Sequence, residues 1–226
     1  MGLFDSIKNS IKEISEWYLK INEEKVKKFL ETIDNPIAKE ISWHPLLRWW
    51  ASFKTHNLQT NQNGWLEYKA VTWAKAFSII FIVFSFVPLF LIPAFLQDQG
   101  YIFLVPVFFW LIFLTGGIYM FKSFSKPIVF DKAIGYFYKW KLKSNMWIID
   151  VSDKNNVPLS SIYALQVISE FIKTDKSSYY SHEINLVLND KARINVIDCW
   201  NIDSMRNDAK QIWEYLWIPV WDFSGI

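Results

Sequence analysis

Three side chains near the end of the chain, His182, Asp198 and Cys199, are of the types that carry base or nucleophile chemistry. A histidine beside a thiol activates it, and a carboxylate beside a histidine orients it. Which pair forms depends on strand register, because a slip of one residue exchanges the two faces of a strand. Residues 180–188 and 192–198 alternate as a hairpin. Pairing Leu188 with Ala192, Leu186 with Ile194 and Ile184 with Val196 gathers the apolar residues on one face. Asn189-Asp190-Lys191 then forms the loop, a common hairpin length. This register sets His182 opposite Asp198 and turns Cys199 to the other face. A His–Asp pair with no evident nucleophile reads as a structural cross-strand bond. No catalytic residue is therefore assigned, and an enzyme is not expected.

Metal and cofactor chemistry find no better footing. His44 and His56 are twelve apart, and no Cys, His and carboxylate group shows ligand spacing. The seven glycines make no phosphate-cradling loop. Lysine is more informative. Lys122, Lys126, Lys132, Lys139, Lys141 and Lys143 crowd into 22 residues, opposed only by Asp131. Lys126, Lys139, Lys141 and Lys143 are expected to face anionic lipid headgroups or a partner, the last three alternating along one strand. A net charge of +2 gives no reason to expect nucleic acid.

The elements that carry these residues divide sharply. Residues 76–96 and 101–121 are two uncharged runs of 21 residues. As helices each would be roughly 31 Å long, about one hydrocarbon core. Only Gln97-Asp98-Gln99-Gly100 separates them, so a transmembrane hairpin over 74–122 is expected, with Gly116 and Gly117 as its packing surface or that of an oligomer. Lysines flank the hairpin, and its turn carries Asp98 but no Lys or Arg, which puts both termini in the cytoplasm. Trp65, Tyr68 and Trp73 before the first span, and Tyr119 at the end of the second, are expected at headgroup depth. A single cysteine suits a reducing compartment.

Before the hairpin, residues 1–34 read as amphipathic helix. Phe4, Ile7, Ile11, Ile14, Tyr18 and Ile21 form one stripe, and Val26, Phe29, Leu30 and Ile33 a second. Either stripe suits a partner helix, the cytosolic domain or an in-plane membrane position. Met1-Gly2-Leu3-Phe4-Asp5-Ser6 also fits the myristoylation pattern, which adds only marginal membrane affinity. Residues 35–73 hold five tryptophans and are expected to be interfacial, with a short helix over His44 to Trp50. The same rings would also suit a small soluble core.

From Lys126 the period changes to alternation. Strands are expected over 127–131, 135–141, 146–151, 162–173, 180–188 and 192–198. Ile202, Met205, Ala209, Ile212, Trp213 and Leu216 then mark a helix capped by Asn201 and closed by Pro219. A small antiparallel sheet or barrel capped by a C-terminal helix, here over 123–226, resembles the pleckstrin-homology-like (PH-like) fold. Placed after a two-span hairpin, residues 126–226 are similar to bacterial membrane proteins with PH-like cytosolic domains. The resemblance implies an α+β cytosolic domain that docks a lipid headgroup or protein segment. The expected function is accordingly docking at the inner-membrane surface, with a bilayer and a protein as partners. A toxin-neutralising accessory protein and an oligomeric channel subunit are the alternatives.

Overall fold

The structure, a computed structural model, describes residues 23–46, 54–91, 104–139, 144–145, 148–149, 156–173 and 178–224. The chain divides into two compact units, Met1–Ser52 with Ser161–Ile226, and Phe53–Ser160. The expected segments 35–73 and 123–226 are each cut by this division.

In the second unit, β1 (His56–Thr60) and β2 (Leu66–Ala70) form an antiparallel hairpin. Gly64, at φ +83, supplies the left-handed residue that the Asn61–Trp65 turn needs. Helix α3 (Thr72–Ser85) follows at once and continues as a 3₁₀ turn, Val87–Leu91. Helix α4 (Leu104–Phe124) returns. Next come β3 (Ile128–Asp131) and β4 (Tyr136–Lys139), and β3 pairs with β2 as well as with β4. The two apolar helices are thus an insertion between neighbouring strands of one sheet. The short strands β5 (Ser144–Asn145) and β6 (Ile148–Ile149) pair with each other. With β7 (Asn156–Pro158) the larger sheet runs β1-β2-β3-β4-β7. Tyr68, Phe130 and Phe137 are its fully buried centre, with the two Phe rings 4.8 Å apart. The β3–β4 turn is held by Asp131, whose Oδ1 accepts from the amides of Ala133 and Ile134.

The apolar helices bury almost none of their apolar side chains. Only 17% of the most apolar stretch of the first helix and 11% of that of the second is buried. A core helix of a water-soluble protein would show the reverse. Both helices are long and apolar enough to cross a membrane, consistent with a two-pass membrane protein.

The other unit is a four-stranded sheet of order β10-β9-β8-β11, built from β8 (Ile162–Lys173), β9 (Ser178–Leu188), β10 (Arg193–Cys199) and β11 (Val220–Asp222). Helix α5 (Ile202–Leu216) precedes β11, and Asn201 caps it as expected by accepting from the Ser204 amide. The chain does not stop at that helix. Pro219 carbonyl accepts from Leu165 N–H, and β11 joins β8 in parallel. The fold is mixed α+β with antiparallel sheets, and this parallel edge strand departs from the expected pattern.

The N-terminal stripe finds its place here. Residues 23–32 are helical (α1), and Asn35 caps a short helix α2 (Pro36–Glu40). Val26, Phe29, Leu30 and Ile33 pack on a core of Ala38, Ile41, Trp43, Ala164, Ile168, Val187, Trp221 and Phe223. The second stripe therefore covers protein; the first lies outside the described residues. Trp43, expected at a membrane interface, is buried: its ring lies 5.1 Å from Phe29 and 5.8 Å from Phe223, and its N–H reaches Ala38 carbonyl. The expected helix at His44 is not formed over residues 44–46, and Leu47 to Trp50 lie outside the described residues.

Candidate functional site

Antiparallel pairing fixes which ends of the strands share an edge of the larger sheet. His56, Ala70, Ile128 and Lys139 are all terminal and all on one edge, since His56 pairs with Ala70, Tyr68 with Ile128, and Ile128 with Lys139. Helix α3 leaves from that edge and α4 returns to it. Lys54, Lys69, Lys75, Lys122, Lys126 and Lys139 all lie at it or within the adjoining helix turns, and none is buried. Among the described residues of this unit the acids are Glu67 and Asp131. Asp131 ends β3 at the opposite edge, beside Lys132, and Glu67 sits in that half of β2. Among the described residues the sheet is therefore basic where the apolar helices attach, and its two acids lie away from them with Lys132.

His56 ties this edge to the helices. Its Nε2 lies 3.0 Å from the carbonyl of Phe124, the last residue of α4, and its Nδ1 lies 2.9 Å from Thr55 Oγ1. A carbonyl only accepts, so Nε2 carries the proton and Nδ1 accepts from the threonine hydroxyl. Burial lowers the His56 pKa, opposed by the Phe124 and Lys126 carbonyls and reinforced by Lys139 and Lys75. The imidazole is a neutral donor that caps one of the helix's orphan carbonyls.

Of the four expected interface aromatics, Trp73 and Tyr119 are exposed near the sheet ends of α3 and α4. Tyr68 is instead fully buried in the sheet core. Trp65 sits at the far end of β2, where its N–H donates to Glu67 at 3.1 Å. Neither belongs with Trp73. Lys139 is the last described residue of β4, and Lys141 and Lys143, the rest of the expected alternating run, lie outside the described residues. The two glycines also separate. A Cβ on Gly117 would stand 2.8 Å from Ile82 Cγ1 and 3.0 Å from its backbone nitrogen, whereas one on Gly116 would meet nothing within 4 Å. Of the two glycines, only Gly117 lies where α3 and α4 approach closely.

The expected His–Asp pair is not formed. Leu186 faces Ile194 as expected, but a bulge between Asn195 and Ile197 advances the register by one. Ile184 then pairs with Ile197, Glu183 with Asp198, and His182 with Cys199. Asp198 accepts from Asn195 Nδ2 at 2.6 Å instead. His182 Nδ1 is 2.6 Å from Ser169 Oγ, and that hydroxyl donates to Ser224 carbonyl at 3.0 Å. The single hydroxyl proton is thus used, so Nδ1–H donates to the serine and Nε2 keeps its lone pair. Burial and Arg206 lower the His182 pKa, opposed by Asp222. A neutral imidazole does not hold a thiolate, and the buried Cys199 Sγ accepts from Asn201 N–H at 3.4 Å. Ser169 and His182 therefore tie β8 to β9, with Cys199 their register neighbour on β10.

Sequence reasoning overlooked a second polar cluster, on the sheet face that carries α1 and α2. Glu183, Asn185 and Gln166 are buried there and Arg193 is half-buried. Glu183 Oε1 accepts from Asn185 Nδ2 at 2.6 Å and from Leu46 N–H at 2.8 Å. Gln166 Nε2 donates to Ser42 carbonyl at 3.1 Å, and Arg193 donates to His44 carbonyl at 2.9 Å and to Gln166 Oε1 at 3.0 Å. Its only sequence signal was polar residues at inward positions of alternating strands. Compared with known proteins, the sequence matches no family model and no curated protein.

Proposed function

We propose that this chain is a two-pass inner-membrane protein that docks a protein partner or anionic headgroups at the cytosolic surface, with headgroups as its ligand at the helix-side edge. The observation that carries this reading is the charge division of the larger sheet. Lys54, Lys69, Lys75, Lys122, Lys126 and Lys139 gather where two exposed apolar helices attach, and Asp131 lies at the other edge. Lysines next to a span favour the cytoplasmic side, and each contributes about 1 kcal/mol near an anionic surface. Exposed Trp73 and Tyr119 suit the layer just above them. The PH-like comparison rests on element order alone and is a fold-level part of this reading.

The test is native mass spectrometry of protein released from nanodiscs of mixed zwitterionic and anionic lipid. Wild type is expected to retain anionic lipid preferentially. Exchanging Lys75, Lys126 and Lys139 for Gln removes about 3 kcal/mol, roughly 150-fold, of that preference at 1 kcal/mol each. Equal retention of both lipids by wild type would remove the headgroup ligand. Release of the protein from membranes by alkaline carbonate would remove the membrane reading itself.

A further inference from the structure

Residues 42–46 lie in neither helix nor strand, yet the segment is held at every second residue. Ser42 carbonyl, His44 carbonyl and Leu46 N–H are bonded by Gln166, Arg193 and Glu183. Between them the Trp43 indole is sunk among Phe29, Trp221 and Phe223. Pro45 favours extended backbone at His44 and has no N–H to satisfy, which suits this skipping pattern. The segment lies on the sheet as an extended peptide lies in a receptor, with main-chain contacts for affinity and one aromatic anchor for specificity.

Two features separate this arrangement from ordinary core packing. A buried glutamate and a half-buried guanidinium are a poor way to stabilise a sheet face, because apolar residues of similar volume usually do as well or better. Here they serve the main chain of a single segment, and Asn185 Oδ1, fully buried, is left without a donor among the described residues. Among the described residues the segment's outer flank borders an open groove of about 330 Å³, lined by the charged Glu23, Lys27 and Lys39 as well as by Val26, Leu30 and Ile41.

We infer that the groove formed by Gln166, Glu183, Arg193 and the Trp43 pocket is a docking site for an extended protein segment with an indole anchor, occupied in this chain by its own residues Ile41–Leu46. A partner segment of that chemistry displaces the resident one. The inference concerns the unit containing β8–β11 and stands whether or not the lysine edge binds headgroups.

The experiment uses the full chain in detergent. Trp43→Ala empties the pocket, and labelled acetyl-Ile-Ser-Trp-His-Pro-Leu-amide is added in trans. Saturable binding at least tenfold tighter than to wild type is expected, with loss of that binding when Glu183→Gln is added. The peptide with Ala in place of Trp should not bind. Equal binding of both peptides, or none to a folded Trp43→Ala protein, would overturn the inference. Hydrogen exchange on wild type tests it without a variant. The amides of residues 42–46 should exchange at least tenfold faster than those of Ile184 to Val187, because displacement requires local opening. Exchange of both only in step with global unfolding would equally overturn it.

Discussion

Gly116→Ala and Gly117→Ala are the same chemical change on adjacent residues of α4, and the structure predicts opposite consequences. At Gly117 the new methyl meets Ile82 Cγ1 at 2.8 Å and its backbone nitrogen at 3.0 Å. Carbon atoms prefer about 3.5–4.0 Å, so the helices must part by roughly 0.7 Å at that level. Rotating the isoleucine does not relieve this, because a β-branched side chain has one strongly favoured rotamer in a helix and the backbone contact remains. Overpacking of this kind costs about 1–3 kcal/mol. The methyl at Gly116 meets nothing within 4 Å. Both variants gain the same helix propensity, about 1 kcal/mol, so it cancels in their difference. Thermal unfolding in mild detergent should therefore place Gly117→Ala below Gly116→Ala by roughly 2–12 °C, at about 2–4 °C per kcal/mol for a chain of this size. Adding Ile82→Ala should restore part of the loss, because it removes the side-chain contact but leaves the backbone one. Equal melting temperatures, or a more stable Gly117→Ala, would refute the reasoning that Gly117 is where α3 and α4 meet.

Three further outcomes follow from the same geometry. His56 and His182 both have pKa values lowered from 6.5 in the folded state, so folding favours their neutral forms. Their contribution is full above 6.5 and is lost as pH falls through the lowered values, so the melting temperature should be level above 6.5 and drop in the window below it; a flat or rising profile there would contradict the burial argument. Asp222, lowered from 3.8, titrates below that window. Asn201→Ala removes the acceptor for Ser204 N–H and should cost about 1 kcal/mol in denaturant unfolding, whereas Asn207→Ala, exposed mid-helix, should gain up to about 0.7 kcal/mol from helix propensity. Asn35→Ala removes the acceptor for Ile37 and Ala38 N–H and the donor to Tyr163, and should cost at least as much, raising exchange across α2.

What was legible in the sequence is what repeats over many residues. The apolar runs, the strands over 127–131, 162–173, 180–188 and 192–198 and the cap at Asn201 all rest on such patterns or on a local capping rule. In contrast, β7 and β11, three residues each, were too short to show one, and the strands expected over 135–141 and 146–151 fall partly outside the described residues. The errors come from single residues and from long-range pairing. One bulge near Val196 placed His182 opposite Cys199 rather than Asp198. A period of two cannot register an inserted residue. The β1–β2 hairpin had a local signal, Asn63-Gly64 between the alternating Leu58 and the pair Leu66 and Tyr68, but tryptophan content outweighed it. The β2–β3 pairing had none, because both membrane-length helices lie between its strands. Nor did pattern reveal that Glu183 and Arg193 hold the backbone of residues 44–46. That depends on which segment returns to the sheet.

Depth profiling by electron paramagnetic resonance tests the central claim most directly. Single spin labels at Val83, Lys139 and Lys132, in a Cys199→Ser background and an anionic bilayer, report access to oxygen and to a water-soluble nickel complex. The account predicts strong oxygen and little nickel access at Val83, headgroup depth at Lys139 and aqueous exposure at Lys132. Nickel access at Val83, or Lys132 lying closer to the bilayer than Lys139, would contradict it.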